Sequence, residues 1–132
     1  MCGATRFVAT GDQAKLSACH CGMCRRWSGI ALMVGPWAQV TWTQQDQLVV
    51  FRSSDWAERG FCGRCGSSLF YRITAQGPHA GAINVNFGAL DDQSGFALET
   101  EWFSDRCPSA YALTGNPRRI TEAEVLAMFG GG

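Results

Sequence analysis

The sequence predicts a mainly β protein with little helix. Many short runs with two-residue alternation follow one another at close spacing. Only one segment, at the C-terminal end, carries both a helix start and a helix stop. A length of 132 residues and 46% hydrophobic content fit one domain, spanning 1–132, with a substantial core.

The elements follow in order. Met1 to Thr10 reads as a strand with a glycine near its start, Thr5, Phe7 and Ala9 on one face, Arg6 and Val8 on the other. Gly11-Asp12 is a turn signal. A second strand over Lys15 to Ala18 delivers a cysteine-rich loop, and Ile30 to Val34 reads as a short buried strand. Pro36 is expected to break that run. Gln39 to Thr43 alternates as another strand, and Gln44 to Gln47 is a polar turn. Leu48 to Arg52 is the clearest strand of all. Ser53 to Glu58 reads as a polar loop containing Trp56. Ser68 to Thr74 and Ala82 to Phe87 are strands, and Phe96 to Leu98 and Glu101 to Phe103 are short strand candidates. The helix comes last. Thr121 and Glu124 form a capping box, Glu122 to Phe129 follows, and Gly130 stops it.

Composition narrows the functional classes. Lysine plus arginine equals aspartate plus glutamate, eleven each. This balance offers no general attraction for nucleic acid or an anionic membrane, and neither is expected as a partner. The longest apolar run, Ile30 to Val34, is too short to span a bilayer, and the N-terminus carries no secretory pattern. Seven cysteines, an odd number, argue against a full disulfide framework and for a reducing cytoplasm.

Those cysteines are the chemical signal. Cys19, Cys21 and Cys24 put three thiols within six residues at CxCxxC spacing. Thiolates lie about 2.3 Å from a tetrahedral zinc, and three from one tight loop can fill three of its corners. Gly22 is expected to let the backbone fold back toward Cys24. No local residue owns the fourth corner, and an open corner is the mark of a catalytic site. The competing readings are buried small apolar residues or disulfide partners. His20 lies between two ligands and reads as a supporting or surface histidine rather than a ligand. Cys62-Gly63-Arg64-Cys65-Gly66 looks like a zinc knuckle, with a thioredoxin-type redox pair as the alternative. Trp27 and Trp56 either wall a pocket or pack in the core. Cys107 reads as a lone thiol in a loop.

Taken together, CxCxxC followed by Arg25-Arg26-Trp27-Ser28-Gly29, and Phe61-Cys62-x-x-Cys65-Gly66-Ser67-x-Leu69, resemble the glutathione-dependent formaldehyde-activating enzyme family, which includes centromere protein V. The opening Cys2-Gly3-Ala4-x-Arg6-Phe7 and the late Gly88-Ala89-Leu90-Asp91-Asp92 fit it too. The resemblance implies a β-tent of small antiparallel sheets with zinc knuckles. It implies a catalytic zinc on Cys19, Cys21 and Cys24, and a structural zinc on Cys62, Cys65 and an N-terminal CxC pair. Cys2 matches the second member of that pair; the first would fall before Met1. Where the family often has His-x-Phe followed by lysine and tryptophan, this chain has Glu101-Trp102-Phe103, then Arg106 and Tyr111.

The resemblance also implies carbon–sulfur lyase chemistry on an aldehyde adduct of glutathione or another thiol. Zinc favours a thiolate at an open position. Arg25 and Arg26 suit the two carboxylates of glutathione, unless they pair with acids of the protein itself. Ser28 either hydrogen-bonds a substrate or shapes the turn. The alternative function is a zinc-stabilised β-tent that binds without catalysis.

Overall fold

Alternating apolar and polar residues build strands, and burial follows that period along Arg6–Thr10, Lys15–Cys19 and Gln39–Gln44. The computed structural model describes residues 1–11, 14–37 and 39–130. The chain is mainly β, in small sheets, with a short C-terminal helix. It divides into two units, Met1–Ala14 with Val34–Gln93 and Lys15–Met33 with Ser94–Gly132. The expected Gly11-Asp12 turn lies partly outside the described residues.

In the first unit, β1 (Arg6–Thr10) pairs antiparallel with β4 (Gln39–Gln44). Phe7 and Ala9 are half-buried while Arg6, Val8 and Thr10 are exposed, as the alternation predicts. β5 (Leu48–Arg52), β6 (Ala57–Cys62), β7 (Ser68–Ile73) and β8 (Ile83–Asn86) pair antiparallel in chain order. β3 (Leu32–Trp37) enters this unit at Val34 and pairs with β8. The break expected at Pro36 does not occur. The pairing touches only at Val34–Asn86 and Trp37–Asn84, with an irregularity between, and that irregular stretch tolerates a residue with no N–H to donate. The expected loop over Ser53 to Glu58 ends early, because Ala57 and Glu58 already belong to β6.

The core of this unit centres on Cys62, Leu69 and Phe70, with Phe7 and Trp42 packed against it. The rings of Phe7 and Trp42 lie 5.4 Å apart edge to face, and Trp42 lies 5.6 Å from Phe70. Gly60 faces Phe70 across β6 and β7, and a Cβ there would overlap the ring. Only glycine fits that approach.

The second unit is parallel rather than antiparallel. β9 (Ala97–Trp102) lies between β2 (Lys15–Cys19) and β10 (Arg118–Ile120), parallel to both. β9 merges the two short strands expected around Leu98 and Trp102 into one. A helix not anticipated from the sequence, α1 (Gly22–Ser28), follows β2 directly. The C-terminal helix, α2 (Glu122–Met128), carries the expected capping box: the Thr121 hydroxyl accepts the Glu124 N–H, and Glu124 Oε2 accepts the Thr121 N–H at 2.7 Å. Asp105 Oδ1 accepts the Glu122 N–H at 2.9 Å, and Arg106 pairs with the Glu122 carboxylate, so the turn after β9 is tied to α2. Leu16, Ala18, Cys24, Ala31, Leu32, Ile120 and Val125 are the buried apolar residues of this unit among those described.

Candidate metal centres

β2 ends at Cys19 and α1 begins at Gly22, so the three clustered cysteines straddle a strand-to-helix junction. Cys21 is the cap of α1: its Sγ accepts the Cys24 N–H at 3.4 Å, the role a serine or aspartate usually fills. One helical turn then brings Cys24 back over Cys21. Gly22 is the first helical residue and has no positive φ, so the helix, not glycine's freedom, returns the chain; the expectation placed on Gly22 is corrected here. The left-handed residue is Gly29, at φ 79°, which closes α1 by donating to the Arg25 carbonyl at 2.8 Å.

The sulfurs of Cys19, Cys21 and Cys24 all lie within 4.8 Å of one another. The thiols of Cys19 and Cys24 hydrogen-bond to Cys21 and pull it down to about 2, helped by the Cys24 and Met23 amides. The same contacts, with burial, push Cys19 far above the ordinary thiol range. Negative charge is thus favoured on Cys21 and the thiol proton on Cys19. A divalent cation would replace thiol protons, and the donor set fits a soft or borderline metal. Among the described residues no fourth histidine, cysteine or acid joins this group.

The second cluster lies in the first unit. Cys62 ends β6 and Cys65 lies in the turn after it, and the N-terminal segment brings Cys2 to them. Gly66, at φ 78°, donates to the Cys62 carbonyl at 2.7 Å, giving the tight turn of a knuckle rather than the start of a helix. The Ser67 hydroxyl, 3.2 Å from Cys65, is the main influence lowering that thiol to about 5. The Thr5 hydroxyl and the Cys65 amide lower Cys62. The Ala4 amide favours thiolate at Cys2, but the neighbouring thiols and burial outweigh it and raise the group. Ligand set and spacing fit a tetrahedral metal here too.

The remaining predicted residues divide. Arg25 is half-buried and its Nε donates to the His20 carbonyl at 2.9 Å. Arg26 is exposed, with Nη1 at 3.3 Å from the Gly22 carbonyl. Ser28 Oγ is buried with no hydrogen-bond partner among the described residues. Trp27 is half-buried and Trp56 is 50% exposed.

His20 is wholly buried, which corrects the surface alternative. Its Nε2 lies 2.7 Å from Glu101 Oε1, and Glu101 Oε2 takes Arg119 Nε at 3.1 Å. A carboxylate can only accept, so Nε2 donates, and Nδ1 is left to accept from the Tyr111 hydroxyl at 3.4 Å. Cys107, expected as a lone thiol, lies in this neighbourhood and donates to the Tyr111 carbonyl at 3.5 Å. Sequence reasoning meets Glu101 and Tyr111 only as departures from the family pattern, and Arg119 not at all. The available signal is an acid in the central strand of a small sheet, where an unpaired carboxylate is disfavoured.

Fold and donor sets together define a mainly β protein with two three-thiol clusters able to hold metal. The sequence profile of the glutathione-dependent formaldehyde-activating enzyme family matches residues 1–106, and the chain belongs to that family. A protein of Schizosaccharomyces pombe named an uncharacterized lyase is 31% identical over 119 residues, covering 79% of this chain and 87% of its own. A crystal structure of a Rhodobacter sphaeroides protein is similar in fold, with a TM-score of 0.53 and 19% identity, covering 76% of this chain and 94% of its own.

Proposed function

We propose that this chain is a zinc-dependent carbon–sulfur lyase acting on the adduct of an aldehyde with glutathione or a similar thiol. The observation that carries the reading is the cluster of Cys19, Cys21 and Cys24, which offers three sulfurs to one metal and, among the described residues, no fourth donor of its own. Family membership and the lyase name of the yeast relative support the same class of reaction.

A zinc ion held by the three thiolates would supply a position where a substrate sulfur is stabilised as thiolate. The chain's own residues bind and orient. Arg26, exposed on α1, suits a substrate carboxylate. Arg25 holds the His20 carbonyl through Nε, and its remaining guanidinium donors can face a ligand. The Ser28 hydroxyl, buried and without a hydrogen-bond partner among the described residues, would have to be uncovered to bond a substrate. In the addition direction a bond forms between the thiol sulfur and the aldehyde carbon. The proton leaves sulfur and ends on the former carbonyl oxygen; cleavage reverses both. Cys62, Cys65 and Cys2 serve the fold by holding a second zinc.

No helix among the described residues is long and apolar enough to cross a membrane. We place the protein in the cytoplasm, where its seven cysteines stay reduced.

Exchange spectroscopy on a mixture of labelled formaldehyde and glutathione tests the reading. The zinc-loaded protein should accelerate interconversion of free aldehyde and the S-hydroxymethyl adduct, and Cys21→Ser should not. Equal rates with parent, variant and no protein would overturn it.

A further inference from the structure

We propose that Glu101 is a positioning residue for the metal centre, acting through His20 to fix where Cys19 and Cys21 present their sulfurs. This rests on the reading that Cys19, Cys21 and Cys24 hold zinc.

His20 is the residue between two of the three ligands, so its placement sets the backbone on both sides of it. It is fastened at four points, the Tyr111 hydroxyl at Nδ1 being one of them. Its N–H donates to the Trp102 carbonyl at 3.0 Å, its carbonyl accepts Arg25 Nε at 2.9 Å, and its ring donates to Glu101 at 2.7 Å. The carboxylate is itself fixed by the sheet. Glu101 stands beside Ala18 of β2 on one side and beside Arg119 of β10 on the other. His20 is 0% and Glu101 4% exposed, so neither can turn to water if the other is removed. A buried ring donor without a partner is costly, and the ring must move to satisfy it. That movement is carried straight into the Cys19–Cys21 spacing.

The rival assignment for these side chains is a further metal site of His20, Glu101 and Cys107, whose ligand atoms lie within 4.8 Å. The 2.7 Å separation of Nε2 and Oε1 argues against it. Two atoms each about 2.1 Å from one tetrahedral ion stand about 3.4 Å apart. The pair is a hydrogen bond, and its effect on the metal is indirect. Partners of this kind, one bond removed from a metal centre, typically change metal affinity about 10–100-fold.

The test titrates zinc- and cobalt-loaded full-length protein with a chromogenic chelator. Cys21→Ser and Cys65→Ser assign the two sites. Glu101→Leu should weaken the site lost in Cys21→Ser by about 10–100-fold and alter its cobalt–thiolate absorption, while leaving the other site within about twofold. Glu101→Gln, which keeps an acceptor for His20, should recover most of the affinity. If Glu101→Leu lowers the melting temperature but leaves both affinities and the cobalt spectrum as in the parent, Glu101 only supports the fold and the proposal fails. If Glu101→Leu does not fold, Arg119→Ala decides, since its side chain is 53% exposed. It should weaken the same site by about 3–10-fold, and no change would overturn the proposal. Loss of no metal in Cys21→Ser would sink the zinc reading itself, and this positioning role with it. That failure is separate from an affinity unchanged by Glu101.

Discussion

Cys2 Sγ lies 3.8 Å from Cys62 Sγ, so the N-terminal segment and the knuckle turn meet at their thiols. Two sulfurs each about 2.3 Å from a tetrahedral zinc are separated by about 3.8 Å, so the pair already stands at ligand spacing. Metal bound here ties two remote segments together, and its binding free energy becomes folding free energy. Cys65→Ser should therefore lower the melting temperature by on the order of 10 °C and remove most of its sensitivity to chelator. Cys107→Ser is the control, because a hydroxyl can still donate to the Tyr111 carbonyl; it should shift melting by about 2 °C or less. Equal shifts from the two variants, read by calorimetry, would mean that the knuckle carries no structural metal.

The metal-free protein should gain stability as pH rises from about 5 to about 9. Cys65 is lowered to about 5 and Cys21 to about 2, against an ordinary thiol value of 9.0. A depressed group contributes its full stability above the unfolded value and loses it as pH falls toward the folded one. Cys19 and Cys2 are raised, so their contribution is present below pH 9 and fades above it. Stability of the stripped protein should thus peak near pH 9. Urea midpoints measured across this range check the curve. A profile that falls steadily from pH 5 to 9 would contradict the thiolate assignments.

The two arginines should separate cleanly. Arg26 is exposed, so Arg26→Ala should raise the glutathione concentration needed for half effect by about 10-fold with little change in melting temperature. Arg25 Nε holds the His20 carbonyl, so Arg25→Ala should lower the melting temperature as well. Thermal melts and glutathione titrations of both variants, side by side, provide the check. Identical behaviour in both measurements would show that neither arginine has the role its placement suggests.

Much of this was legible wherever local chemistry decides structure. The Thr121–Glu124 box starts α2 because both of its hydrogen bonds are local. Leu48–Arg52 forms a strand with the bounds its β-branched and aromatic run predicts. Both cysteine clusters are visible because metal-ligand spacing survives as spacing in sequence. Helix α1 was not legible, since its cap is a cysteine and it opens on glycine. Strand β10 is three residues long and exists by pairing with β9, a remote and parallel contact. The Glu101–His20 pair spans 81 positions, and nothing near either residue announces the other.

The central claim is that Cys19, Cys21 and Cys24 form an open metal centre, and cobalt substituted for zinc tests it most directly. Ligand exchange at cobalt changes its visible absorption. Glutathione added to the cobalt protein should perturb the bands that disappear in Cys21→Ser and leave those that disappear in Cys65→Ser. Saturating glutathione that leaves every band unmoved would mean that the fourth position is closed. The chain would then be a metal-stabilised binding module rather than a lyase.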